Sequence, residues 1–351
     1  METLEETYLK IANCPNIWSY YPNPLISINE AWKDADRAYS FIKSYFSLGG
    51  KDGVFNDYNI YENVDYIISR AQHIISTFLL GLKIAKCFDI DIQKRDIENM
   101  NFKYYWFLTC LYHDIGYAYE DMHNYEWLEH TQKNGLEAIK SICGIKYMNN
   151  GIFRTYSKEQ VDFYLKIRAE NSKDEIGKLD HGIVGGMLLY DRLRKQFDYA
   201  FKNRTDKNDG RSQFYIKRDH LGYCLNLSNK HYKSYAKVAD AIISHNIWIS
   251  TFNEYINTHK LSNMTSINKK ITIKNSLCYI LSIADSIEPF KCGIALSDIE
   301  IIKSRCGFKI SLDKILFKKI QRKVEELETW LQVHTNITEK NRKIFIEIQS
   351  Y

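Results

Sequence analysis

Four of the ten histidines in this 351-residue chain fall inside apolar helical patterns or at their ends. They are His73 (Ala71-Gln-His73-Ile-Ile), His113 (Cys110-Leu-Tyr-His113), His181 (Leu179-Asp-His181-Gly) and His245 (Ala241-Ile-Ile-Ser-His245). Two carboxylates share that setting: Asp114, directly after His113, and Asp285 in Leu281-Ser-Ile-Ala-Asp285. Taken singly, each imidazole reads first as a hydrogen-bonded core residue, and one His-Asp dipeptide proves nothing. The ordered set says more, because imidazole and carboxylate come from five different helices in the order His, His-Asp, His, His, Asp. A buried, unpaired carboxylate costs several kcal/mol and calls for a cation. No Arg or Lys lies within one helical turn of Asp114 along the chain, which leaves a metal ion as its simplest partner. Imidazole with carboxylate suits Mn, Fe, Co, Ni or Zn better than Mg or Ca, and the lack of Cys in the set argues against a closed structural zinc site.

The elements that must position these residues are helices. Only 16 Gly and 4 Pro punctuate a chain that is 45% hydrophobic, too few turn-formers for a many-stranded barrel or sandwich. Apolar residues recur at helical spacing over 62–87, 101–115, 123–142, 158–170, 180–200, 234–248 and 273–287, and these seven helices are expected to form the core. Ahead of them, residues 1–58 read as a helical extension with helices near the N-terminus and over about 28–47, closed by Gly49-Gly-Lys-Asp-Gly53. The core unit spans 59–299. Residues 200–234, with a short alternation at Phe214-Tyr215-Ile216, read as a basic insertion: a loop or small hairpin. After residue 300 the pattern changes. Phe308 to Leu312 alternates like a strand, 313–332 is an amphipathic helix, and Lys343 to Ile348 alternates again, which predicts a small strand-helix-strand cap over 300–351. The fold class is mostly α with this C-terminal appendage.

The ordered set resembles the HD-domain metal-dependent phosphohydrolase superfamily over residues 65–290. His113-Asp-Ile-Gly116 is similar to the HD(I/L)G signature, and His181 followed by Gly185-Gly186 to the small-residue helix after the third His of that family. Ala284-Asp-Ser-Ile-Glu-Pro289 resembles the AD-x-IEP segment of bacterial HD hydrolases that cleave diadenosine tetraphosphate. The resemblance implies an HD-type helical bundle and two divalent transition-metal ions. One would be held by His73, His113, Asp114 and Asp285, the other by Asp114, as a bridge, with His181 and His245. It further implies hydrolysis of a nucleotide or other small phosphate by a metal-bridging hydroxide, with Asp114 as the catalytic carboxylate.

Subfamily patterns fit less well. Tyr117 stands where many members carry a Lys after HD(I/L)G, the HD-GYP signature does not follow, and the Pro-Pro-Phe of deoxynucleotide triphosphohydrolases is missing. Lys291 occupies roughly the place of an Arg that follows AD-x-IEP and is the candidate phosphate-binding residue, although a basic residue near a helix end is also favoured by the macrodipole. Glu288 reads either as the carboxylate that orients a ligating His or as a surface acid. His123 and His130 could serve as proton donors or lie on a solvated face.

Two rival functions stay open at this level. Arg211, Phe214, Tyr215, Lys217, Arg218 and Tyr223 interleave charge with rings, as in grooves for single-stranded nucleic acid, so an HD nuclease resembling the CRISPR-associated kind is one; the same insertion could equally be a lid. A non-catalytic sensor or scaffold is the other. The net charge of +5 is mild, and 200–234 and 301–351 each carry +5 against −5 for the remainder. The eight cysteines are scattered without a CxxC, the N-terminus is acidic, and no apolar run approaches the ~20 residues of a membrane span, so a reduced, cytoplasmic protein is expected, with no membrane partner. An exposed edge at Ile344 to Ile348 would allow a homodimer by strand pairing.

Overall fold

The computed structural model describes residues 2–14, 31–48, 64–94, 101–120, 124–170, 177–202, 230–247, 249–261, 266–267, 269–340 and 342–350. Two helices, α4 (Phe102–Tyr112) and α12 (Ser276–Ile287), are apolar on almost every face, and nearly every residue of each is buried. A helix without a polar stripe must be enclosed by others. Around these two pack α3 (Val64–Cys87) and α10 (Lys230–Ser244), each touching both, with α9 (His181–Lys202) laid along α10. The expected seven helices are all present, with one division: 123–142 is two helices, α6 (Tyr125–Asn134) and α7 (Leu136–Ile142), meeting at Gly135. Short α5 (Tyr117–Glu120) follows the His-Asp turn, and α8 (Lys158–Ala169) opens with a reciprocal cap between Ser157 and Gln160. The periodicity reading did not isolate α11 (Ile249–Thr258).

The N-terminal residues join the same core. Strand β1 (Glu2–Thr3) leads into α1 (Leu4–Ala12), and the fully buried Tyr8 sends its hydroxyl to Ser76 of α3 at 2.9–3.0 Å. Helix α2 (Ala35–Leu48) packs along α3 and adds Ala38, Phe41 and Ile42 to the core. The turn at Gly49–Gly53 and the hairpin around Phe214–Ile216 lie outside the described residues, as does 203–229 of the basic insertion.

The C-terminal appendage is larger than a strand-helix-strand unit. Strands β2 (Glu300–Ser304), β3 (Gly307–Asp313), β4 (Val333–Lys340) and β5 (Lys343–Ser350) form, with β1, an antiparallel sheet in the order β1-β2-β3-β5-β4. Helix α13 (Lys314–Trp330) covers it with Phe317, Ile320, Val324, Leu327 and Trp330, a stripe at helical spacing. Facing residues pair across the inner strands: Phe308 with Ile348, Ile310 with Ile346 and Leu312 with Ile344, all buried. This corrects one expectation. Ile344 to Ile348 is no edge, because β3 and β4 flank it on both sides, and a dimer cannot form through it. Val333–Lys340 escaped notice as a strand because its side chains after Val333 are mostly exposed and carry no apolar alternation. Among the described residues no helix is long and apolar enough to cross a membrane, and the seven described cysteines are free thiols.

Candidate metal centre

Each histidine of the set sits where a helix ends or crosses another. His73 lies within α3, and His113 is the C-terminal cap of α4. Asp114 begins the tight turn that leads through Gly116 into α5. His181 is the first residue of α9, His245 follows the last residue of α10, and Asp285 lies in the final turns of α12. Gly116 makes the assembly possible: a Cβ there would stand 2.0 Å from the carbonyl oxygen of His181. Gly182 serves the next contact, since its Cβ would meet the Ile242 carbonyl at 2.8 Å and the His245 ring at 3.0 Å. Asp180 links the same two helix ends, accepting from the Ile183 amide at 3.0 Å and from the Asn246 side chain at 2.9 Å.

Four residues converge. One donor atom from each of His73, His113, Asp114 and Asp285 lies within 4.8 Å of all the others, a group that could hold a metal ion. The Nε2 atoms of His73 and His113 are 3.3 Å apart, His73 Nε2 is 3.1 Å from Asp285 Oδ1 and 3.4 Å from Asp114 Oδ2, and His113 Nε2 is 3.2 Å from Asp114 Oδ1. Tetrahedral ligands at about 2.0–2.1 Å from a metal are roughly 3.4 Å from one another, so this spacing needs little adjustment to take an ion. Asp285 is the most accessible member, with 16% of its side chain exposed.

The rings are held from behind. Nδ1 of His73 meets Glu288 at 2.8 Å and Nδ1 of His181 meets Glu120 at 2.7 Å. Nδ1 of His113 meets the Cys110 carbonyl at 2.8 Å and Nδ1 of His245 meets the Ile242 carbonyl at 2.6 Å. Carbonyl and carboxylate oxygens can only accept, so all four rings donate from Nδ1 and turn Nε2 inward, the arrangement metal-ligating histidines adopt. The rings follow one another, with centroids 5.3 Å apart from His73 to His113, 5.9 Å from His113 to His245 and 5.4 Å from His245 to His181. The Nε2 atoms of His181 and His245 and Oδ1 of Asp114 are buried without a hydrogen-bond partner. Those three atoms belong to the residues expected to hold a second ion.

The sequence reading missed two contributors. Arg70, one turn before His73 on α3, brings Nη1 to 3.3 Å from Asp114 Oδ2, so Asp114 has a cationic neighbour supplied from another helix. Its spacing of three from His73 was the available signal. Glu120, the one acid of α5, escaped because nothing near it in sequence announces a partner 61 residues away. Tyr117, which follows His113-Asp-Ile-Gly116, stacks on His181 at 3.8 Å and lies under the Arg70 guanidinium, also at 3.8 Å. Lys291 does reach the site, with Nζ 2.8 and 3.0 Å from the two oxygens of Asp285. Glu288 is fully buried and also accepts from the amides of Phe290 and Lys291, which removes the surface-acid reading. His130 is exposed and bonds Asn134 within α6, away from the cluster, while His123 lies outside the described residues.

Burial alone would raise the carboxyl pKa values, but cationic neighbours reverse it. Asp114, beside His113, Arg70 and His73, is held far below the usual carboxylate range, as is Asp285 beside Lys291 and the same two histidines. Burial lowers His73, yet Asp114, Asp285 and Glu288 together push it up to about 9. Burial and the neighbouring His181 push His245 down to about 3, so its ring is a neutral donor at pH 7. The centre is therefore two ionised acids and a row of imidazoles in a largely buried site, and four of these residues could hold a metal ion. Comparison with protein-family models, curated proteins and solved structures gives no match for this chain.

Proposed function

We propose that the chain is a metal-dependent phosphohydrolase of HD-domain type, acting on a nucleotide or other small phosphate at a dinuclear centre. The observation that carries this reading is the convergence of His73, His113, Asp114 and Asp285 with every Nε2 turned inward. Buried Nε2 atoms of His181 and His245 and Oδ1 of Asp114, none with a hydrogen-bond partner, support a second ion. Divalent metals held there would polarise a phosphoryl oxygen and activate water near neutral pH. The chain's own residues supply the rest. Asp114 has two oxygens facing different histidines and is suited to bridge. Lys291 and Arg70 stand next to the two carboxylates and are placed to take over phosphate charge once those carboxylates serve as ligands. Glu288 and Glu120 hold the His73 and His181 rings and keep their tautomers fixed.

The test is hydrolysis of a panel comprising an aryl phosphodiester, mononucleotides, dinucleoside polyphosphates, cyclic dinucleotides and single-stranded oligonucleotides, with Mn, Fe, Co, Ni or Zn, for wild type and Asp114→Ala. Turnover that falls to background in the variant, together with lost metal content, is the expected result. Stoichiometric metal binding with no turnover on any substrate would replace the hydrolase by the sensor reading, and turnover confined to oligonucleotides would replace it by the nuclease.

A further inference from the structure

The metal ligands gather at the C-terminal ends of α4 and α12; a separate cavity of about 890 Å³ opens where those helices begin. Ser276 lines it and Asp285 follows nine residues later, while Phe102 lines it and His113 follows eleven later, so roughly 13 and 16 Å of helix axis separate the two sites. Six basic side chains surround the cavity: Lys94, Arg154, Lys237, Lys269, Lys270 and Lys274. Its two acids, Asp91 and Asp240, leave the wall with a formal charge of +4. Both acids already have backbone partners. Asp91 accepts from the amides of Gln93 and Lys94 at 3.0 and 3.1 Å, and Asp240 from those of Arg154 and Thr155 at 2.8 and 2.9 Å. Among the described residues, Lys94, Lys269 and Lys274 have no carboxylate partner.

Helix α12 adds to this field. It starts at the cavity, and Asn275 at its N-cap directs its side-chain amide to Thr155 Oγ1 without capping the helix. The positive end of a twelve-residue helix thus faces the same space as the lysines. The uncharged part of the wall is divided between polar Thr155, Thr272, Asn275 and Ser276 and apolar or aromatic Ile90, Phe102, Tyr105, Ile271 and Leu277. Crowded cations around one concavity repel one another, and a bound polyanion relieves that repulsion. A cavity of this size matches those that enclose small-molecule ligands.

We propose that this cavity is a second ligand site that binds a nucleoside polyphosphate. The phosphates lie among Arg154, Lys269 and Lys274 near the start of α12, and the base lies against the Phe102 and Tyr105 wall. The assignment stands on its own observations and does not depend on the hydrolase reading.

The experiment is calorimetric titration of the full chain with ATP, GTP and inorganic tripolyphosphate, in chelator without added metal, for wild type, Lys269→Glu/Lys274→Glu, Lys94→Glu and Asp114→Ala. All three lysines are exposed, so their reversal leaves the core intact, and thermal melts check this. The expected result is saturable nucleotide binding to wild type and Asp114→Ala alike, weakened about tenfold or more in the double reversal and in the same direction by Lys94→Glu. Binding lost in Asp114→Ala but kept in the lysine variants would place the ligand at the metal centre and overturn the proposal. So would no saturation below about 1 mM, and equal affinity for tripolyphosphate would overturn the assignment to a nucleotide.

Discussion

At the scale of single residues, the centre depends on groups outside the four that converge. Glu288 is fully buried, holds the His73 ring from behind and ties down the chain that delivers Lys291. Glu288→Gln keeps the shape but removes the negative charge that favours donation from Nδ1. Outer hydrogen-bonding partners of this kind are worth about 10–100-fold in metal affinity, and that loss is expected in a competitive metal titration, with far-UV circular dichroism unchanged. A variant that binds metal like the wild type would mean that the His73 tautomer needs no such support. Tyr117 shows a different dependence: it carries Arg70 on its ring, and Arg70 brings a cation to Asp114.

At the scale of elements, the decisive contact is between the His-Asp turn and the start of α9. Gly116→Ala places a methyl 2.0 Å from the His181 carbonyl, backbone against backbone, so one of the two must move. Metal affinity is expected to fall, and stability with it by about 1–3 kcal/mol in chemical denaturation; an unchanged midpoint and unchanged metal binding would show that the turn can shift freely. Asp191 does comparable work at the middle of α9. It accepts from the amides of Lys146 and Tyr147 at 2.7 and 2.9 Å and pairs with Arg192 and Lys195. Burial raises its pKa, but Lys195, those amides and Arg192 outweigh it and hold the carboxyl below its usual range. Its stabilising contribution is therefore complete above the unfolded value of about 3.9 and is lost as pH falls through the lower folded value. Asp191→Asn should flatten the acid limb of the stability–pH curve measured by denaturation between roughly pH 2 and 5, while wild type retains the slope.

At the scale of the whole molecule, the N-terminus and the C-terminal sheet enclose the bundle together. Strand β1 pairs with β2, α1 buries Tyr8 against Trp32 and Ser76, and Phe88 at the end of α3 meets Phe308 of β3 edge to face at 5.8 Å. Tyr8→Ala removes a large enclosed ring from this junction and is expected to cost about 3–5 kcal/mol, with one cooperative melt persisting at lower temperature. A separate early transition would instead mark the N-terminal residues as an independent unit. Polarity is organised at the same scale. The N-terminal ends of α4 and α12 border the basic cavity and the acids Asp114 and Asp285 lie near the C-terminal ends, so each helix dipole adds to the local charge and sharpens the demand for a counter-charge at both ends.

The helices and the four converging residues were legible in the sequence because both are local signals. Apolar periodicity marks which faces must be buried, and a His or Asp within such a face is conspicuous wherever its partners lie. His73, His113, Asp114 and Asp285 needed only the fold to bring them together. The sequence also marked the small residues Gly116, Gly185 and Gly186, and a Cβ on them would meet the carbonyl oxygens of His181, Tyr112 and Ala239 at 2.0, 2.9 and 2.6 Å. What it could not disclose were partners chosen by distance in space. Arg70 beside Asp114, Glu120 behind His181, β4 sealing the edge of β5 and six basic side chains around one cavity all join segments far apart along the chain, and no local pattern records such a meeting. Residue chemistry and periodicity act over one or two turns of helix, whereas packing decides which charges share a dry pocket, and with that which of them can bind a ligand.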